Sequence, residues 1–311
     1  MSLKQTLEVQ DILDHPKING EDVVQLFKKF SYVEASFETV KGERGSTDFV
    51  KILIKGTEGK YDKGTAPTLG VVGRLGGIGA RPKRIGFVSD GDGAATALAT
   101  ALKLAEMAER GDRLVGDVYV TTHICPEAPT VPHEPVEFMG SPVDILTMNK
   151  YEVLPEMEAI ISIDTTKGNK VYNHRGISLS QTVKEGYILK FSDDLVRIKE
   201  MTTGELAHTF ALSTQDITPY GNDVFHINSI LQPSVATDSP VVGLAITTQS
   251  VVPGSGTGAS HEVDIAQGAR FCVEVAKEYG QGKVSFYDER EFAHLNKLYG
   301  SMTHLQTLGK Q

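Results

Sequence analysis

Five short apolar runs without polar alternation, at residues 68–72, 85–88, 118–121, 159–163 and 241–246, dictate the architecture of this chain. A strand with one solvated face alternates apolar and polar residues, whereas an unbroken apolar run is how a strand buried on both faces reads. Helical stretches fall between the runs, chiefly 94–107, 144–151, 195–201 and 263–279. Strand and helix alternating in this way predicts an α/β fold, with a mixed, largely parallel sheet and helices on both faces.

The segment before residue 67 reads differently. Two short helices, 7–13 and 23–30, precede two β-rich segments, 35–40 and 49–54, bounded by glycine clusters and expected to pair. Residues 170–190 carry short strand-like pieces separated by Gly176 and Gly186, which predicts an antiparallel edge or flap. No Pro-rich linker or internal repeat marks a second domain. The expected organisation is therefore one domain, with residues 1–66 as N-terminal helices and hairpin appended to a hydrolase-like core over 67–311.

Several functions are set aside by chemistry. With 31 Lys+Arg against 40 Asp+Glu the formal charge is −9, the wrong sign for a protein that lives on phosphate contacts, so no nucleic-acid partner is expected. No run approaches the roughly 18 apolar residues of a membrane span, and no membrane partner is expected. The start lacks a signal-like apolar stretch, and two cysteines make no disulfide framework; both suit a cytoplasmic protein. The glycine-rich stretch at 73–82 lacks the dinucleotide spacing and runs into Pro82 and a strand, so no nucleotide cofactor is expected. Residues 258–261 lack the closing glycine of a serine-hydrolase elbow.

What carries chemistry is the position of acidic and imidazole groups relative to the strands. Asp90 and Asp92 follow the run 85–88 and precede an alanine-rich helix, at the strand end where α/β sheets bind ligands. The plainer role for either is helix capping. Asp164 repeats the placement after 160–163, and His123, Cys125 and Glu127 follow 118–121 with the ligand types that hold zinc. His261 and Glu262 follow a glycine-rich loop and open the last long apolar helix. Arg74, at another strand end, has the fork geometry to clamp a carboxylate, or to pair with a nearby Asp. These positions suggest one converging polar site.

The order of these motifs, with Ser89-Asp90-Gly91-Asp92, Ile161-Ser162-Ile163-Asp164 and the late His261-Glu262-Val263-Asp264, resembles the co-catalytic zinc aminopeptidases of the M20, M28 and M42 type. The stretches GRLGGIGARP, TTHICPEAP, MNKYEV, SIDTTKGN, TQDITPYGN and TGASHEVDI more closely resemble an uncharacterised prokaryotic domain-of-unknown-function family, eleven-seventy-seven, over nearly the full length. The peptidase resemblance implies a bridging aspartate at Asp90, a second-metal aspartate at Asp164 and a last histidine at His261. Of its paired glutamates only Glu127 stands here, with His123 and Cys125 as replacements. Its first histidine falls on Arg74 and the orienting aspartate on Gly76, and its large insertion domain has no room between Gly76 and Asp90.

The resulting expectation is a metal-dependent hydrolase of an amide bond in a small peptide or amino-acid derivative. Asp90, Asp164, His261 and His123 would hold a divalent ion, zinc first and manganese or cobalt as alternatives. Glu127 would act as general base, and Arg74, Asp92 and Cys125 would contact substrate. A homo-oligomer is expected. The rival expectation is a small-molecule-binding or regulatory protein on the same fold that has lost its metal, with Arg74 in the place of the cation.

Overall fold

A computed structural model of the chain describes all residues except 1, 16, 75–90, 126–127, 133–137, 167, 170–171, 251–259 and 311. Among the described residues a nine-stranded sheet forms the centre. Its parallel middle consists of β4 (Val118–Ile124), β3 (Leu69–Gly73), β7 (Ala159–Thr165) and β11 (Val241–Thr247), hydrogen-bonded in that order. The hairpin of β1 (Val33–Gly42) and β2 (Gly45–Ile54) closes at Gly42↔Gly45 and joins the sheet through the antiparallel β2–β4 pair. On the other side β8 (Gly176–Lys184) lies antiparallel to β11, folds back on β9 (Tyr187–Ile188), and is flanked by the short parallel β10 (Thr209–Phe210). A separate two-stranded ribbon pairs β5 (Thr130–Val131) with β6 (Phe138–Met139).

The apolar runs behave as their composition requires, since every residue of β3, β4 and β11 is buried. Successive side chains point to opposite faces. Val71, Val120, Ile161, Ile163 and Leu244 enter a large cluster with α1 (Leu3–Leu13), α2 (Gly20–Phe27), α3 (Asp92–Glu109), α5 (Asp193–Thr203) and α6 (Glu262–Gly280). Val72, Tyr119, Ile160 and Ala245 face the other way, against Val153 and Met157 after α4 (Ile145–Glu152) and against Ile217, Ile230 and Leu231. Helices thus cover both faces, as expected, and α7 (Glu289–Tyr299) packs on β9 through Phe292 and Tyr187. No described helix is long and apolar enough to cross a membrane.

Three details differ from the sequence reading. β4 runs to Ile124, so His123 lies inside a strand; Thr122 and His123 pair with Val50 and Phe49 of β2, which extends the ladder past the apolar run. The second helix ends at Phe27, where a turn through Lys28 leads to the buried Phe30. The 170–190 region is antiparallel as expected, with β9 an outer strand on β8, but the short parallel β10 also adds to the outer side of β8. The run 85–88, expected as a further strand, lies outside the described residues.

Candidate functional site

Register brings three of the sequence candidates into one row. Val72 pairs with Thr121 and Ser162, and Gly73 with Thr122 and Ile163, so the next residues, Arg74, His123 and Asp164, stand level at the carboxyl ends of three adjacent strands. Alternation directs all three to the α4 side, two residues on from Val72, Thr121 and Ser162. Strands are about 4.8 Å apart, so Arg74 stands between the other two.

All three are buried, Arg74 and Asp164 each at 1% exposure and His123 at 3%. The partner that holds the row is Glu152, the last residue of α4, itself fully buried. One of its oxygens accepts from Arg74 Nη1 and the other from His123 Nδ1 at 2.5 Å. Burial pushes the Glu152 carboxyl up, but His123 and Arg74 outweigh it and hold it below the usual carboxylate range. Arg74 Nη2 donates to Asn149 Oδ1 at 3.0 Å, one turn earlier on the same helix face, and Asn149 Nδ2 donates to the Gln232 carbonyl at 3.0 Å. The Thr121 hydroxyl donates to the Glu152 carbonyl at 2.8 Å and fastens the helix end to β4. Phe49 of β2 continues the row, stacked on Tyr151 with centroids 4.7 Å apart and tilted against His123 at 5.8 Å.

Asp164 belongs to a second group. Its Oδ2 accepts from the Ser229 hydroxyl at 2.7 Å and its Oδ1 from its neighbour's N–H at Thr165, at 2.7 Å. Burial pushes its carboxyl up to about 6, and these two hydrogen bonds, with Arg74 and His123 nearby, offset only part of that. Tyr220 lies beside Ser229 and Asp164, and burial pushes its hydroxyl up to about 12. The 213–232 segment is braced by Asp216, whose carboxylate accepts from the N–H groups of Ser213, Ile227 and Asn228.

The remaining candidates lie elsewhere. Asp92 is fully buried at the start of α3 and accepts from the Ser260 hydroxyl at 2.5 Å, tying the starts of α3 and α6 together. Gly93 follows it so closely over β3 and β7 that a Cβ would overlap the carbonyl oxygens of Arg74 and Ile163. His261 is exposed as the cap residue of α6 and makes no side-chain capping bond. Cys125 is 2% exposed, its thiol 3.7 Å from the Ser46 carbonyl. Asp90 and Glu127 lie outside the described residues. Among the described residues no three His, Cys, Asp or Glu side chains gather as metal ligands.

Arg74 was read from sequence as a carboxylate clamp on substrate or a partner of Asp90 or Asp164. Among the described residues its guanidinium pairs with Glu152, a residue that sequence reasoning missed together with Asn149, Ser229 and Tyr220. The signal for Glu152 was an amide and a carboxylate three residues apart on one short helix. Ser229 and Tyr220 sit in irregular backbone, where no period announces a direction.

No curated protein matches the sequence. Among solved structures, a variant of tomato leucine aminopeptidase superposes with a TM-score of 0.52 at 14% identity, covering 88% of this chain. The chain spans 60% of the length of that aminopeptidase. The fold expected from the peptidase resemblance is therefore the fold present. Residues 38–309 match the family described as "Protein of unknown function (DUF1177)", and the chain belongs to that family.

Proposed function

We propose that this protein binds a small peptide or amino-acid derivative at the carboxyl edge of β3, β4 and β7, with a built-in guanidinium in the place of a divalent ion. The observation that carries this reading is the position of Arg74, buried between His123 and Asp164 and fixed by Glu152 and Asn149. A permanent cation at that point leaves His123 engaged through Nδ1 and does not suit a metal centre built from the same row. The described donors therefore do not fit the two-metal pattern. In this reading Asp164, Ser229 and Tyr220 form the polar wall that meets the ligand. A ligand ammonium beside Asp164 would stabilise its ionised form.

A second reading, metal-dependent hydrolysis of an amide bond, draws on one observation. A buried carboxylate held as high as about 6 has too little positive charge around it. Asp90, Asp164 and His261 would then hold zinc, manganese or cobalt, with Glu127 as general base.

Elemental analysis after metal-supplemented expression, combined with thermal unfolding of Arg74→Ala with and without zinc, separates the two. The binding reading expects no stoichiometric metal and a loss of about 3–5 kcal/mol that zinc does not relieve, because a buried carboxylate is left without its partner. Stoichiometric metal in the wild type, or near-normal stability of the variant, defeats it.

A further inference from the structure

The sheet ends differently on its two sides. Beyond β8 the outer strands β9 and β10 are two residues each, too short to template another chain. On the opposite side β1 runs for ten residues, with no proline and no bulge, and pairs without interruption to β2 alone. Folded proteins normally shorten, bend, cover or charge an edge of this length. The charges on β1 are Glu34, Glu38 and Lys41, and Glu34 is already held within the chain by Lys55 Nζ at 2.6 Å and Tyr61 Oη at 2.7 Å.

The ladder shows which backbone groups of β1 are free. Opposed residues in an antiparallel pair alternate between exchanging both hydrogen bonds and exchanging none. The Lys55 N–H donates to the Tyr32 carbonyl, which makes the even-numbered residues of β1 the set bonded to β2. The N–H and C=O groups of Val33, Ala35, Phe37, Thr39 and Lys41 therefore point away from β2, and among the described residues no hydrogen bond reaches them. The strand is braced on its α2 face. Thr39 Oγ1 donates to Asp48 Oδ1 at 2.6 Å, Asp48 Oδ2 accepts from the Gly20 N–H at 2.8 Å, and Gly20 lies so close to Phe37 that a Cβ there would overlap its ring. Phe37 nonetheless keeps 40% of its surface exposed, at the middle of the strand.

This edge is complementary to itself. Two copies of one strand that pair antiparallel are related by a two-fold axis normal to the sheet, so side chains of the same face stand opposite each other. An axis through Phe37 pairs it with the second copy's Phe37, Ala35 with Thr39 and Val33 with Lys41, and every free N–H on the edge then meets a free C=O. On the other face Ser36 stands opposite Glu38, a hydroxyl donor against a carboxylate, and Glu34 opposite Val40. The central aromatic pair buries the exposed part of both rings. A slip to the next register in either direction sets Glu38 against Glu38 or Glu34 against Glu38, and like charges directly opposite are destabilising. We propose that β1 is a dimer interface, at which a second copy of this chain adds its own β1 antiparallel with Phe37 on the two-fold axis, so that two sheets become one. The interface uses neither Arg74, His123, Glu152 nor Asp164 and holds whichever reading of that row is right.

The test is sedimentation equilibrium of the full chain over a concentration series, where a mass twice that of the chain is expected. Phe37→Lys sets two ammonium groups against each other at the axis and should shift the chain to the monomer at the same concentrations. Ser36→Glu sets a carboxylate against Glu38 of the second copy with the same expected shift; within the chain Ser36 stands opposite Lys51, so this variant folds and decides the matter alone if the first does not. Mild oxidation of Phe37→Cys should link the dimer, because a hydrogen-bonded pair has its Cα atoms about 5.5 Å apart, within reach of a disulfide. Thr39→Cys, opposite Ala35, should not link. A wild-type chain that stays monomeric throughout, a dimer unchanged in the folded Phe37→Lys or Ser36→Glu variant, or linking of Thr39→Cys in preference to Phe37→Cys overturns the proposal.

Discussion

The Ser229 hydroxyl reaches from an irregular segment to the carboxylate of Asp164 at a distance of 2.7 Å, and it lowers a group that burial has pushed up to about 6. An unfolded aspartate titrates at about 3.9. The folded state therefore binds more protons between these values, and stability is highest below the unfolded pKa and falls as pH rises through about 6. Asp164→Asn removes that dependence. Urea denaturation at pH 4 and pH 7 should show the variant gaining about 2–3 kcal/mol relative to wild type between the two; parallel profiles would contradict the assignment.

Ser229→Ala should move the same titration upward, because the lost hydrogen bond favours the ionised carboxylate. A carboxyl-carbon NMR titration reads the shift directly. A downward shift would mean that another group dominates.

Glu152→Gln leaves the shape of α4 intact but removes the charge that Arg74 and His123 share. Breaking a buried pair by removing one partner costs about 3–5 kcal/mol. Chemical denaturation should therefore show a larger loss than substitution at an exposed ion pair such as Lys4→Gln, whose partner is Glu106.

Gly93→Ala places a methyl group against two backbone oxygens that cannot rotate away. Overpacking of this kind costs about 1–3 kcal/mol. Thermal unfolding of the variant checks it, and an unchanged midpoint would show that α3 can lift from the strand ends.

Cys272, fully buried in α6, has its thiol pushed up to about 12 by burial. It should be inert to iodoacetamide in the native state at pH 8 and become reactive on denaturation, which mass spectrometry of labelled peptides can follow. Rapid native labelling would show that α6 opens locally.

The sheet was legible because apolar runs buried on both faces leave a sequence signal that needs no partner to be read. β3, β7 and β11 fall where those runs are. Asp164 was legible for the same reason, as a carboxylate set directly on such a run. His123 was recognised as a candidate but placed after its strand, because Thr121 and Thr122 break the apolar character while still pairing with Lys51 and Val50. Glu152 was passed over because a carboxylate next to Lys150 and Tyr151 on a short helix looks solvated, and only tertiary packing turns it onto Arg74. The order of strands was also hidden, since β11 lies between β7 and β8 although both precede it in the chain.

That insertion has a consequence for how the protein is made. As the chain leaves the ribosome, β1, β2, β4, β3 and β7 can assemble in order, and β8 can fold back on β9, but among the described strands β11 is what joins these two portions into one sheet. Until residues 241–247 emerge, the outer edge of β7 presents bare N–H and C=O groups flanked by Ile160, Ile161 and Ile163. Such an edge is a template for pairing with another nascent chain. The late strand that completes the sheet is thus also its plug, and slow translation or truncation before it arrives favours aggregation over misplacement of any single side chain.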